Sequence, residues 1–256
     1  MEPIALQFCD VTYRVNRRTL VFNLSFQVRR GETLVILGRS GCGKTTTLKL
    51  INRLLNPTSG EVRVEGVPTS QWQPIQLRRK IGYGIQEVGL FPHFTIARNI
   101  GLVPTLEGWH PDRIHSRVLE LLAMVGLPLE FADRYPHQLS GGQRQRVGVA
   151  RALAADPPIL LMDEPFGALD PITRLEMQQE FWHLQQRLQK TVVFVTHDIQ
   201  EALTLASQIA LMQGGRMVMQ ETPRDFLYSP EPEAQAFLKG LQTLKTIDGW
   251  LRGEPQ

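Results

Sequence analysis

The feature that most limits how this chain can fold is an eight-residue spacing, Gly38-Arg39-Ser40-Gly41-Cys42-Gly43-Lys44-Thr45, which fits G-x-x-x-x-G-K-[ST]. Glycines at those places let successive backbone N–H groups turn inward around phosphate oxygens, and a helix starting at Lys44 adds its N-terminal dipole. Lys44 would reach the β- and γ-phosphates of a nucleotide, and the Thr45 hydroxyl would ligate Mg²⁺. The bland alternative is a chance glycine-rich turn. The flanks argue against chance. Thr33–Leu37 is a short apolar run ending at Gly38, as a buried parallel strand does, and Lys44–Leu55 keeps helical periodicity up to Asn56-Pro57. At 256 residues the chain is one large α/β domain with room for an inserted lobe.

Two further stretches carry chemistry. Ile159-Leu160-Leu161-Met162-Asp163-Glu164-Pro165 sets two carboxylates after four apolar residues. By itself that is an ordinary strand end. Beside a phosphate loop, Asp163 can hold Mg²⁺ directly or through water, and Glu164 can orient or deprotonate an attacking water. Leu139-Ser140-Gly141-Gly142-Gln143 forms an S-x-x-Q capping box, so a well-capped helix is expected from Ser140. Two glycines there leave the helix N-terminus bare, which suits docking on a phosphate. One chain already has its phosphate loop, so this second anion site implies a second molecule.

The remaining chain sorts by periodicity. Ile4–Val11 and Leu20–Val28 alternate as strands, and Glu61–Glu65, Ile81–Ile85, Ile159–Met162 and Thr191–Thr196 read as further strands. From residue 91 to 157 strand signal is scarce: Val118, Leu121, Leu122 and Val125 are helically spaced, and Gln143–Ala155 reads as a second helix. Met177, Phe181, Leu184 and Leu188 form one face of another.

Composition excludes several classes. Hydrophobic residues at 42% and charged residues at 21% disfavour disorder and coiled coil. Cys9 and Cys42 are the whole cysteine complement, which suits a reducing compartment rather than a disulfide framework. With 28 basic and 25 acidic residues the excess is mild, and no nucleic-acid partner is expected. No signal peptide is legible, and no apolar run approaches the roughly 20 residues of a bilayer span. If the protein works at a membrane, another chain holds it there.

Phosphate loop, then Leu-Ser-Gly-Gly-Gln, then Leu-Met-Asp-Glu-Pro, in that order, resembles the ATPase subunit of ABC transporters over residues 4 to 241. The resemblance implies an α/β, RecA-like P-loop NTPase core with an N-terminal antiparallel β part and an inserted helical subdomain. Its division here would be core at 1–90 and 158–241, helical insert at 91–157, and a tail at 242–256. It implies ATP and Mg²⁺ as ligands, with Gly38, Arg39, Ser40, Gly41, Cys42, Gly43, Lys44, Thr45 and Thr46 on the nucleotide. Glu164, His197 and Gln86 would be catalytic: His197 matches the switch histidine at the γ-phosphate, and Gln86 the glutamine that contacts Mg²⁺ and senses the membrane partner. Thr45, Gln86 and Asp163 would be the metal ligands, and Ala168-Leu169-Asp170 matches the D-loop. Ser140, Gly141, Gly142 and Gln143 of one subunit would close over ATP on the other, making a homodimeric sandwich. One position departs. Relatives stack an aromatic on adenine, where this chain has Val15, with Tyr13 two residues earlier on the same strand face.

Ile81–His93, Asn99-Ile100 and Tyr135-Pro136-His137 are similar to the ATPases of glycine betaine/choline importers. That implies a subunit peripheral to the cytoplasmic face of the inner membrane, driving permease subunits that an extracytoplasmic solute-binding protein supplies. Phe91-Pro92-His93-Phe94 would meet a short permease helix. The regulatory CBS pair of many such relatives is not expected here. Rival readings are an importer ATPase for another small solute such as an amino acid, an ABC ATPase outside transport, and a silent binding protein. The non-transport members have a long coiled-coil insertion or two cassettes, and Lys44, Glu164 and His197 argue against silence.

Overall fold

The computed structural model describes residues 3–85 and 88–241, so Gln86 and the tail at 242–256 lie outside the described residues. In chain order the strands are β1 (Ile4–Val15), β2 (Arg18–Arg29), β3 (Thr33–Leu37), β4 (Ser59–Val64), β5 (Val67–Pro68), β6 (Ile81–Gly84), β7 (Ile159–Asp163), β8 (Thr191–Thr196), β9 (Gln208–Gln213) and β10 (Arg216–Glu221). The helices are α1 (Lys44–Ile51), α2 (Pro74–Arg79), α3 (Ile96–Ile100), α4 (Leu102–Leu106), α5 (Pro111–Met124), α6 (Gly141–Leu153), α7 (Pro171–Leu188), α8 (Ile199–Leu205) and α9 (Pro223–Leu227). Residues 232–241 are also helical.

A six-stranded sheet runs β10-β9-β3-β8-β7-β6, and a smaller antiparallel sheet runs β2-β1-β4-β5. From β9 to β6 the neighbours are parallel, and β10 closes the edge antiparallel to β9. All residues of β3, β7 and β8 are buried, as strands covered on both faces must be. Their alternation splits the interior in two. Leu34, Ile36, Leu161, Val193 and Val195 face α1 and the antiparallel sheet. Val35, Leu37, Leu160, Met162, Val192 and Phe194 face α5, α6, α7 and α8.

Between β6 and β7 the described residues form helices and turns without a strand. Two helices differ from expectation at their ends. α1 stops at Ile51, not Leu55: Arg53 takes a left-handed φ of 53°, and the Arg78 guanidinium donates to the Asn52 and Arg53 carbonyls that the helix leaves open. α6 begins at Gly141 rather than Gln143 and ends at Leu153, because the capping box draws both glycines into its first turn.

Candidate nucleotide site

The loop after β3 closes on itself. A Cβ on Gly38 would stand 2.4 Å from the Met212 carbonyl oxygen, and one on Gly43, at φ 107°, 2.8 Å from that of Leu20. Neither place admits a side chain. Lys44 is buried, and its Nζ donates to the carbonyls of Gly38 at 2.8 Å and Arg39 at 3.2 Å. The same ammonium lies 3.6 Å from Glu164 Oε1. Thr45 Oγ1 donates to Asp163 Oδ1 at 2.9 Å.

Asp163 ends β7 beside this helix start and is 4% exposed. Burial raises its carboxyl pKa, while hydrogen bonds from Thr45 and Tyr83 oppose the rise. Tyr83 of β6 donates to Asp163 Oδ2 at 3.4 Å, and burial, with the aspartate beside it, pushes the phenol pKa far up. Tyr83 was not singled out from sequence. Its signal is the large-small alternation of Ile81-Gly82-Tyr83-Gly84, which sets Ile81 and Tyr83 on one face of the sheet.

Glu164 has a left-handed φ of 45°, and its N–H donates to Val195 O at 2.9 Å. That turn points the carboxylate back across the sheet. Glu164 Oε2 meets His197 Nδ1 at 2.9 Å. Arg39, Ser40, Gly41, Gly43, Lys44, Thr45, Thr46, Glu164 and His197 line one cavity of about 720 Å³, within the range of small-molecule sites. Cys42 is buried beneath it, and burial raises its thiol pKa.

A strand–loop–helix of this spacing, with an aspartate, a glutamate and a histidine brought to its mouth by neighbouring parallel strands, is a nucleotide-site geometry. A family model described as "ABC transporter" matches residues 21–167. The chain belongs to that family. The cassette is 50% identical over 230 residues to the choline transport ATP-binding protein OpuBA of Bacillus subtilis, covering 90% of this chain and 60% of that one. It is 53% identical over 213 residues to the glycine betaine/carnitine/choline transport ATP-binding protein OpuCA of the same organism, covering 83% and 56%. It thus spans less than two thirds of the length of these relatives. A dimeric structure of the ATP-binding cassette MJ0796 in a post-hydrolysis state with ADP and Pi matches with a TM-score of 0.76 and 35% identity, covering 86% of this chain and 99% of that one.

Three expectations fare differently in the cassette. Tyr13 is half-buried against the β1–β2 core and Val15 is exposed, yet neither lines the cavity; Arg18, Leu20 and Phe237 do. A register shift between Tyr13 and Arg14 interrupts the alternation on which a shared face rests. Ser140 caps α6 as expected: its Oγ accepts from Gln143 N at 3.3 Å, and Gln143 Oε1 accepts from Ser140 N at 2.9 Å. Ser140, Gly141, Gly142 and Gln143 do not line the cavity of their own chain. Asp170 caps α7 through Thr173 N at 3.1 Å, and these hydrogen bonds lower its carboxyl pKa.

Proposed function

We propose that the cassette, over residues 1–241, is the ATP-hydrolysing subunit of an ABC importer for quaternary-amine osmoprotectants. The observation that carries the enzymatic part is the meeting of Lys44, Glu164 and His197 at the mouth of the phosphate loop, Glu164 contacting the other two. Lys44 now rests on two carbonyls that polyphosphate oxygens would replace. Glu164 accepts the proton of a water attacking the γ-phosphorus, and His197 donates to the charge that develops on the transferred group. Positioning and electrostatics supply the catalysis, with no covalent intermediate.

The donor set suits Mg²⁺. Thr45 and Asp163 offer hard oxygens, and among the described residues buried Asp163 forms no ion pair, so a divalent cation would relieve its desolvation. Bound there, Mg²⁺ would neutralise phosphate charge; Gln86, the third expected ligand, lies outside the described residues.

The partners follow from the same reading. A second copy supplies Ser140, Gly141 and Gly142 over the nucleotide, a reading supported by their not lining the cavity of their own chain. In this reading a permease holds the subunit at the cytoplasmic face; no helix among the described residues is long and apolar enough to cross a membrane. The loop at 91–94 would make that contact, and Asn99 fixes its backbone. Asn99, fully buried, receives Phe91 N–H at 2.8 Å and donates to the carbonyls of Phe91, Phe94 and Thr95. The printed names of the relatives support the osmoprotectant class. Vesicles holding the subunit, its permease and the binding protein should take up labelled choline or glycine betaine only with ATP inside. Uptake of an amino acid instead would overturn the solute class, and a subunit that binds ATP but releases no phosphate would overturn the enzyme.

A further inference from the structure

Each chain carries two half-sites: the cavity around Lys44, Glu164 and His197, and the bare start of α6 at Gly141 and Gly142. One turn of α7 contacts the start of α6 and the loops that follow Glu164 and His197. A Cβ on Gly142 would stand 2.7 Å from Thr173 Cγ2, so the first turn of α7 packs directly on Gly142. The next residue, Arg174, turns the other way. Its guanidinium donates to Leu169 O at 3.2 Å and Gly167 O at 3.4 Å, and lies 3.6 Å from Asp198 Oδ2.

Those three acceptors bracket the catalytic pair. Gly167 N–H donates back to Glu164 O at 3.1 Å, so the loop that Arg174 holds is the one that shapes the Glu164 turn. Asp198 follows His197, caps α8 through Gln200 N at 2.7 Å, and donates its own N–H to Thr196 Oγ1 at 2.9 Å. Behind it Thr196 and Gln178 bond to buried Glu201, which ties β8, α7 and α8 together. Gln145 of α6 adds a buried hydrogen bond to Pro165 O, next to Glu164. A guanidinium serves here because its planar fork reaches acceptors on two loops at once, which a lysine ammonium on a flexible stem does not.

We infer that Arg174 is a positioning residue that couples the two half-sites. A shift of the α6 glycines on a partner's nucleotide displaces Thr173, and Arg174 transmits that displacement to the Glu164 and His197 loops of its own chain. The inference rests on the proposed sandwich dimer and goes beyond it, because it assigns the link between the half-sites to Arg174, a side chain that lines neither of them.

The test is ATP hydrolysis against ATP concentration for the full chain, with Arg174→Lys and Asp198→Asn as variants. Asparagine caps a helix as well as aspartate, so Asp198→Asn keeps the α8 cap and removes only the charge partner. Wild type should respond cooperatively. Both variants should bind ATP within about twofold of wild type, lose cooperativity toward a Hill coefficient of one, and drop in kcat by about ten- to a hundredfold. Unchanged kcat and cooperativity in Asp198→Asn would overturn the coupling, even if Arg174→Lys proved too unstable to assay. A hyperbolic wild type would overturn it too. A wild type that binds ATP without releasing phosphate would strike instead at the ATPase reading.

Discussion

Glu164 sits at a φ of 45° without being glycine. Such backbone costs about 1–3 kcal/mol and persists where neighbours over-determine it, here through Val195 O and the Gly167 N–H. The turn sets the carboxylate between Lys44 and His197. Glu164→Gln keeps the shape and loses the proton acceptor, so phosphate release should fall about 10²- to 10⁴-fold. Calorimetry should show ATP affinity within a few-fold of wild type, and an active variant would move the base role to another residue. Lys44→Ala removes the ammonium that two carbonyls now hold ready. A charge-assisted contact contributes about 1.5–3 kcal/mol, so ATP affinity should fall at least tenfold. Wild-type affinity in that variant would refute the phosphate-loop assignment.

Among the elements, α8 depends most on a buried charge. Glu201 is 3% exposed and bonded to Thr196 and Gln178, and burial raises its carboxyl pKa above the usual carboxylate range. A carboxyl whose pKa rises on folding contributes stability below its unfolded value of about 4.3 and loses it as pH climbs through the folded value. Glu201→Gln removes that penalty and can still bond to both neighbours. Its melting temperature should exceed that of wild type at pH 8 by more than at pH 5. An equal difference at the two pH values would show that the carboxylate carries no desolvation penalty. The segment at 91–94 holds two phenylalanines in different settings. Phe94 is half-buried with the Arg98 guanidinium 3.8 Å from its ring centroid, whereas Phe91 is 41% exposed beside a cavity of about 270 Å³. Phe91→Asp should therefore lower co-purification with the permease while the free subunit melts as wild type does, because the substitution sets a charge in an apolar contact. Normal assembly would remove Phe91 from the docking surface.

The whole molecule has the architecture of half a machine. Its cavity is lined by the phosphate loop, Glu164 and His197, and the α6 glycines do not line it. In the proposed sandwich a second copy completes each site. With hydrolysis blocked the sandwich should persist, so Glu164→Gln with ATP should elute as a dimer on gel filtration, and as a monomer with ADP or without nucleotide. A monomer in all three conditions would leave the α6 glycines without their proposed ligand.

Local features were legible in the sequence because their physics is local. The spacing from Gly38 to Thr45, the carboxylates closing an apolar run, and the Ser140–Gln143 box each act within one or two turns of chain, and each stands in the structure as a loop, a strand end and a capped helix. The C-terminal end of α1 and the place of Val15 were not legible, since they depend on Arg78, a residue 25 positions beyond Arg53, and on a bulge in the pairing with β2. Tyr83, Arg174 and Glu201 escaped notice for the same reason. Their partners lie 80, 24 and 23 residues away, as Asp163, Asp198 and Gln178. A phosphate loop is written by adjacent residues, whereas what steadies it exists only once parallel strands bring distant loops to one edge of the sheet.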